Sequence, residues 1–147
     1  MKCFILPLIL VVFLFSCGKK EIFKPRNFSK VEIEILLKDS LLSIRAIDIM
    51  NDNSLAFAAN NGVFGLFNNQ TQSWKTSIQK HDTLDLHFRS AAHTETDFFI
   101  LSIDNPALLY KAGDKGIMEL VYMEEDEGVF YDSMNFWNDD EGIAIGD

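Results

Sequence analysis

The stretch Ser43-Ile44-Arg45-Ala46 has two later counterparts in this chain of 147 residues, His87-Phe88-Arg89-Ser90 and Tyr131-Asp132-Ser133. Three small residues of these stretches, Ala46, Ser90 and Ser133, lie 44 and 43 residues apart. Ten positions after them we align Ala56, Ile100 and Ile143, each inside a short apolar run. Self-similarity at a fixed period of this length indicates a repeat architecture.

Each repeat contains four short apolar runs separated by Asn, Asp or Gly. The runs cover residues 43–50, 54–59, 63–67 and 73–78 in the first unit, and 88–92, 97–103, 107–110 and 117–123 in the second. Four strands in about 43 residues is the spacing of a β-propeller blade. The sequence therefore predicts an all-β fold, a β-propeller of four-stranded blades, with about two and a half blades present.

A β-sandwich is the competing all-β fold, because it also places strands every 8–12 residues or so. A sandwich has no reason to keep a repeat register between its strands, so we favour the propeller. A propeller closes with four or more blades as a rule. We therefore expect that this is an N-terminal fragment and that the natural gene continues past Asp147.

The N-terminus has the composition of an export signal. Met1-Lys2 precedes an apolar run from Phe4 to Phe15, and Leu14-Phe15-Ser16-Cys17-Gly18 follows the pattern of a processing site. The run of about twelve residues is too short to span a bilayer comfortably, which takes roughly twenty. This segment resembles a bacterial lipoprotein signal peptide. An ordinary cleaved signal and an uncleaved anchor are the alternatives.

The resemblance implies that residues 1–16 are removed and that Cys17 carries the lipid. Residues 17–30 are basic, contain Pro25 and show no period, so they predict a short tether. The alternation in Val31-Glu32-Ile33-Glu34-Ile35-Leu36 predicts a half-buried strand that opens the propeller domain, residues 31–147. The resemblance also implies membrane contact through the lipid and a place in the bacterial envelope, at the periplasmic or surface face of the outer membrane.

Two clusters of turn residues resemble a degraded Asp-box, Ser-x-Asp-x-Gly-x-Thr-Trp. Asn69, Ser73 and Trp74 match the Asp, Thr and Trp positions in the first unit, and Asp114 and Gly116 match the Asp and Gly positions in the second. This motif occurs in sialidase-like propellers and in photosystem II assembly factor-like propellers. The resemblance implies a structural role, in which the Asp closes a turn and the Trp packs between blades.

The resemblance to lipoproteins of the assembly factor-like group implies a non-catalytic binding or assembly module with an unidentified protein or glycan partner. The alternative is a sialidase-like glycoside hydrolase whose catalytic residues lie mostly beyond residue 147. No phosphate-binding loop, dinucleotide fingerprint or nucleophile elbow is present in the sequence, and we predict no cofactor and no catalytic residue. A net charge of −9 disfavours nucleic acid as a partner.

Arg45 and Arg89 occupy equivalent places in successive units and are candidates for an anion-binding pair near the propeller axis. The competing interpretation is a repeated arginine that only covers strand edges. We interpret His81, His87 and His93 as solvated rather than as zinc ligands. We likewise interpret the acidic runs 124–127 and 138–141 as rim loops rather than calcium sites. No metal is predicted.

Overall fold

The computed structural model describes residues 29–51, 54–103, 105–112 and 117–147, and within them the fold is all-β. The chain divides into two units, Met1–Glu34 and Ile35–Asp147. The second unit contains ten strands: β1 (Ile44–Ile49), β2 (Leu55–Ala59), β3 (Val63–Asn68), β4 (Ser73–Ile78), β5 (His87–His93), β6 (Phe98–Ile103), β7 (Ala107–Ala112), β8 (Met118–Glu124), β9 (Tyr131–Phe136) and β10 (Gly142–Gly146).

The strands form three antiparallel sheets in chain order. The first sheet is β1-β2-β3-β4, the second is β5-β6-β7-β8, and the third is the pair β9-β10. All eight strands predicted for the first two units are present, so the repeated four-strand pattern is confirmed. The described part of the chain contains no helix long and apolar enough to cross a membrane.

Strand pairing confirms one predicted repeat position and corrects another. Ala46, Ser90 and Ser133 are equivalent, because each directly follows a register irregularity in the first strand of its sheet. Two residues after Ala46, Asp48 pairs with Ala56 across the first sheet. Two residues after Ser90, the equivalent Ala92 pairs with Phe99 across the second sheet. Phe99 therefore takes the place predicted for Ile100. The connection before β6 is one residue shorter than the one before β2, and a shift of one residue moves a side chain to the other face of a strand.

The main core lies between the first two sheets. Small residues of β2, Ala56 and Ala58, face the buried side chains of Phe88, Ile100 and Tyr110 from the second sheet. The small side chains leave room for the large ones, and each fully buried large side chain contributes about 1.5–3 kcal/mol. A smaller cluster, built around Ala92, Leu101 and Met134, joins the second sheet to the third.

The prediction of a strand over Val31–Leu36 is wrong. Residues 31–36 form no strand, and the side chains of Val31, Ile33 and Ile35 are exposed. The alternating pattern gives a segment the character of a strand, but a strand also needs an edge to pair with. No described strand pairs with this segment.

Candidate anion-binding site

The first strands of the three sheets lie side by side, with β5 between β1 and β9. Each has a register irregularity at the same position of the repeat, occupied by Arg45, Arg89 and Asp132. A β-bulge bends the strand and turns the side chain of the extra residue. The repeat thus presents three charged side chains from equivalent places on neighbouring strands.

Arg45 and Arg89 line the same small pocket, of about 120 Å³, together with Asn60, His87 and two apolar residues. The Oδ1 atom of Asn60 accepts the N–H of Ser43 at 2.7 Å, which leaves its amide N–H groups as the remaining donors. Arg45 Nε donates to the hydroxyl of Ser43 at 3.2 Å. The structure therefore brings the two predicted arginines together in a pocket whose side chains are mainly donors, which suits a small oxyanion such as a carboxylate.

Arg89 already has an acidic partner in this structure. Its Nε lies 3.1 Å from Oδ1 of Asp132, and the two side chains are 37% and 42% exposed. The approach lacks hydrogen-bond geometry, so the buried Oδ1 atom receives no hydrogen bond from the described residues. A half-exposed pair of this kind contributes at most about 1 kcal/mol. For Arg45, the described residues provide no carboxylate within ion-pair distance.

Sequence reasoning missed Asp132 as a site residue. The signal was available, because Asp132 stands at the repeat position of Arg45 and Arg89. An acidic residue at a position that is basic in the two preceding units predicts a charge pair between the first strands of neighbouring sheets.

A second polar cluster lies at the opposite end of β1 and β5. His93 Nδ1 lies 2.7 Å from Oδ2 of Asp48, and its Nε2 lies 3.3 Å from Oδ1 of Asn51. The Asn51 amide donates to the carbonyls of Thr94 and Glu95, at 3.3 and 3.4 Å. These contacts connect the first sheet to the second, and cavities of about 320 and 430 Å³ open beside them.

Most of the polar side chains around these cavities are engaged in structural contacts. The Thr94 hydroxyl accepts the N–H groups of Thr96 and Asp97 and so closes a turn. Lys111 bonds Asp97 at 2.8 Å and lowers the pKa of that carboxyl. The neighbouring loop is tied in as well, because Asp139 Oδ1 accepts the Glu95 N–H at 2.7 Å. We assign this cluster to the connection between sheets rather than to catalysis.

The three histidines lie in three different environments. The ring of His81 is edge-on to Tyr110 at 6.5 Å, His87 lines the arginine pocket, and His93 pairs with Asp48. Within the described ranges, no group of three or more His, Cys, Asp or Glu side chains could hold a metal ion.

Apart from Glu124, which ends β8, the two acidic runs sit in loops whose side chains make local bonds. Asn138 Oδ1 accepts the N–H groups of Asp140 and Glu141, both at 2.8 Å. Glu141 in turn accepts the indole N–H of Trp137 at 3.1 Å, and this bond lowers the pKa of its carboxyl. In the other run, Asp126 Oδ1 accepts the N–H of Gly128 at 2.9 Å.

The first Asp-box-like cluster forms a turn between β3 and β4. Asn68 Oδ1 accepts the N–H groups of Gln70 and Thr71, both at 2.9 Å, whereas Asn69 contributes its carbonyl as an acceptor for the Gln72 side chain. The capping side chain is therefore one residue earlier than the Asp position assigned to Asn69. The Ser73 hydroxyl lies 2.8 Å from that of Thr71.

Trp74 lies on the face of the first sheet that is remote from the second sheet. Its ring is 5.0 Å from Phe57 and 5.1 Å from Phe67, and its N–H donates to the carbonyl of Leu36 at 3.1 Å. Asp114, Gly116 and the predicted lipid attachment residue Cys17 lie outside the described residues.

Comparison with known proteins gives no match to a family model and none to a curated protein.

Proposed function

We propose that this chain is the N-terminal part of an envelope-anchored lipoprotein, attached through Cys17, whose β-propeller is a non-catalytic binding or assembly module. Two features support a propeller. Successive sheets are meanders in chain order, and their first strands lie next to one another, as the inner strands around a propeller axis do. In this proposal, further blades of the natural gene product complete the ring.

The observation that favours binding over catalysis is the pairing of Arg89 with Asp132. A sialidase-type site needs three arginines that converge on the carboxylate of the substrate. The sequence has three arginines, and Arg26 lies in the predicted tether, far in sequence from the other two. Because Arg89 is paired with a carboxylate of the protein, Arg45 is the only arginine among the described residues without an ion-pair partner.

A sialidase-like hydrolase is the second candidate, and the pocket shared by Arg45 and Arg89 is the observation that favours it. The two candidates are separated by turnover of a fluorogenic sialoside with the full natural gene product. If the propeller is a non-catalytic binding module, we expect no hydrolysis of the sialoside above the rate in buffer alone. Turnover that is lost in both Arg45→Ala and Arg89→Ala, but kept in Lys75→Ala on an exposed part of β4, would overturn the binding-module proposal.

Photo-crosslinking in intact cells tests the binding role directly. A crosslinking amino acid at position 45 should give a discrete adduct with an envelope component, since this position lines the pocket that Arg45 and Arg89 share. The same amino acid at position 75, on the outer strand, should give none. Equal labelling from both positions would contradict a binding surface on the inner strands.

A further inference from the structure

His93 is held between oxygen atoms on both sides of its imidazole ring. Its Nδ1 atom lies 2.7 Å from Oδ2 of Asp48 on β1, and its Nε2 atom lies 3.3 Å from Oδ1 of Asn51, in the connection between β1 and β2. An ionised carboxylate and an amide oxygen accept hydrogen bonds and donate none. Both ring nitrogens therefore carry a proton when both contacts are hydrogen bonds, and this is the charged imidazolium form.

The orientation of the Asn51 amide is fixed by the second sheet. Its NH2 group donates to the backbone carbonyls of Thr94 and Glu95, at 3.3 and 3.4 Å. Turning the amide over would offer a donor to a neutral His93, but it would also place Oδ1 against two carbonyl oxygens, which cannot donate. The oxygen of Asn51 is therefore the atom that faces Nε2.

We propose that protonated His93 is a clamp between the first two sheets, and that a rise in pH opens this clamp on the Asn51 side. Histidine is the side chain whose unperturbed charge change falls between about pH 5 and 8. A neutral ring can keep its Nδ1 proton on Asp48, because that bond needs only one donor. Its Nε2 lone pair would then oppose the lone pairs of Asn51 Oδ1, so the contact to Asn51 would be lost.

The clamp is shielded enough for the loss of a hydrogen bond to be felt. The side chains of His93 and Asp48 are only 25% and 19% exposed. A polar group that is largely out of water cannot exchange a lost partner for solvent at no cost. All the groups of the clamp belong to the first two sheets and their turns, so the inference does not rest on closure of the proposed ring.

The clamp also sets the charge of the two cavities of about 320 and 430 Å³ that His93 lines. The acidic groups of the described residues that border the ring or these cavities are Asp48, Glu95, Asp97, Asp139 and Asp140. Lys111 of β7 is already bonded to Asp97 at 2.8 Å. Among the described residues that line the cavities, His93 is the only side chain that can carry a positive charge. Its deprotonation would leave only acidic ionisable groups in that lining.

Nitrogen-15 NMR of the full natural gene product tests the clamp, with the His93 signals assigned by through-bond correlation. At about pH 5 both ring nitrogens should carry protons. As the pH rises toward about 8, Nε2 alone should lose its proton, because Asp48 holds the proton on Nδ1. The side-chain amide signals of Asn51 should shift with the same midpoint as the ring.

Asn51→Ala is the matched variant, because it removes the responding group and leaves the bond to Asp48 in place. Its ring should still titrate, but the backbone carbonyl signals of Thr94 and Glu95 should shift much less than in the unmodified protein. The other two histidines are the internal control. His81 lies against Tyr110 and His87 lines the arginine pocket, so their titrations should leave the Asn51 signals in place.

Four results would overturn the proposal. A His93 ring that stays neutral from pH 5 upward, or charged up to pH 8, would show that it does not switch in this range. Loss of the proton from Nδ1 instead of Nε2 would show that Asp48 is not the anchor. A titration of His93 that leaves the Asn51 signals unchanged would show that Asn51 is not released. Equal shifts of the Thr94 and Glu95 carbonyls in Asn51→Ala would assign their response to the ring charge alone.

Discussion

The hydroxyl of Ser90 accepts the backbone N–H of Met134 at 3.0 Å, and this buried bond connects β5 to β9 in the next sheet. Neither residue pairs with the other in a strand ladder. The bond therefore satisfies a backbone donor that would otherwise be left unpaired where two sheets meet. Both residues are buried, at 6% and 7% exposure, so water cannot replace the hydroxyl.

Replacing Ser90 with alanine should destabilise the fold more than its size suggests. The Ser90→Ala variant leaves the Met134 N–H buried without a partner, which costs about 1–3 kcal/mol. Equilibrium unfolding in urea measures the change in the free energy of unfolding. Ser133→Ala is the matched control, because Ser133 holds the same repeat position but is exposed. Equal losses in the two variants would show that the bond does not contribute.

The two tryptophans should respond very differently to truncation. Trp74 packs on Phe57 and Phe67, and its N–H bonds the Leu36 carbonyl. Gly65 assists this cluster, since any side chain at that position would collide with the Phe57 ring. We expect Trp74→Ala to lower the free energy of unfolding by about 3 kcal/mol, the low end for tryptophan because the side chain is only partly buried.

Trp137 provides the control for this measurement. It is 62% exposed, and its N–H bonds only the Glu141 carboxylate nearby. Trp137→Ala should change the free energy of unfolding by less than about 1 kcal/mol. A Trp74→Ala variant as stable as Trp137→Ala would mean that the aromatic cluster on the first sheet does not form.

Lipidation should depend on Cys17. Expression of the natural gene in a Gram-negative host, with a fatty-acid analogue in the medium, should label the protein and place it in the membrane fraction. Stable attachment requires more than one acyl chain, because each buried methylene contributes only about 0.8 kcal/mol. Cys17→Ala should abolish both labelling and membrane association, and Cys3→Ala should leave both intact if residues 1–16 are removed. Fatty-acid label retained in Cys17→Ala would contradict lipid attachment at Cys17.

Most strands were predictable because their signals are local. Turn residues mark the boundaries: Asn61 and Gly62 both adopt positive φ between β2 and β3, as the Asn-Gly sequence indicates. The contacts between sheets were not predictable in the same way. Asp48 and His93 are 45 residues apart, and their pairing depends on how β1 and β5 pack. The bulges at Arg45, Arg89 and Asp132 leave no local mark in the sequence either.

Two of the wrong predictions have the same origin, since both required knowledge of a partner. Alternation identified Val31–Leu36 as strand-like but could not supply an edge to pair with. A fixed ten-residue spacing placed Ile100 with Ala56, although the shorter connection before β6 puts Phe99 there. Apolar character is common to Phe99 and Ile100, so only pairing reveals which of them faces the third sheet.

The bond between Tyr122 and Glu124 predicts a titration that can be followed at one atom. The Tyr122 hydroxyl donates to Glu124 Oε2 at 2.6 Å, which raises the pKa of Tyr122 from 10.0 to about 12 and lowers the pKa of Glu124. Because the folded state binds the tyrosine proton more tightly, the contribution of Tyr122 to stability is lost as the pH rises from 10 through about 12. The lowered pKa of Glu124 works in the opposite direction, so its contribution is lost as the pH falls through that pKa. NMR of ¹³C-labelled tyrosine Cζ, assigned with Tyr122→Phe, should show a titration midpoint near 12 that falls toward 10 in Glu124→Ala.

Glu119→Ala removes a charge from the same strand without touching the bond and should leave the midpoint in place. A Tyr122 midpoint of 10 in the unmodified protein would mean that the bond does not persist in solution.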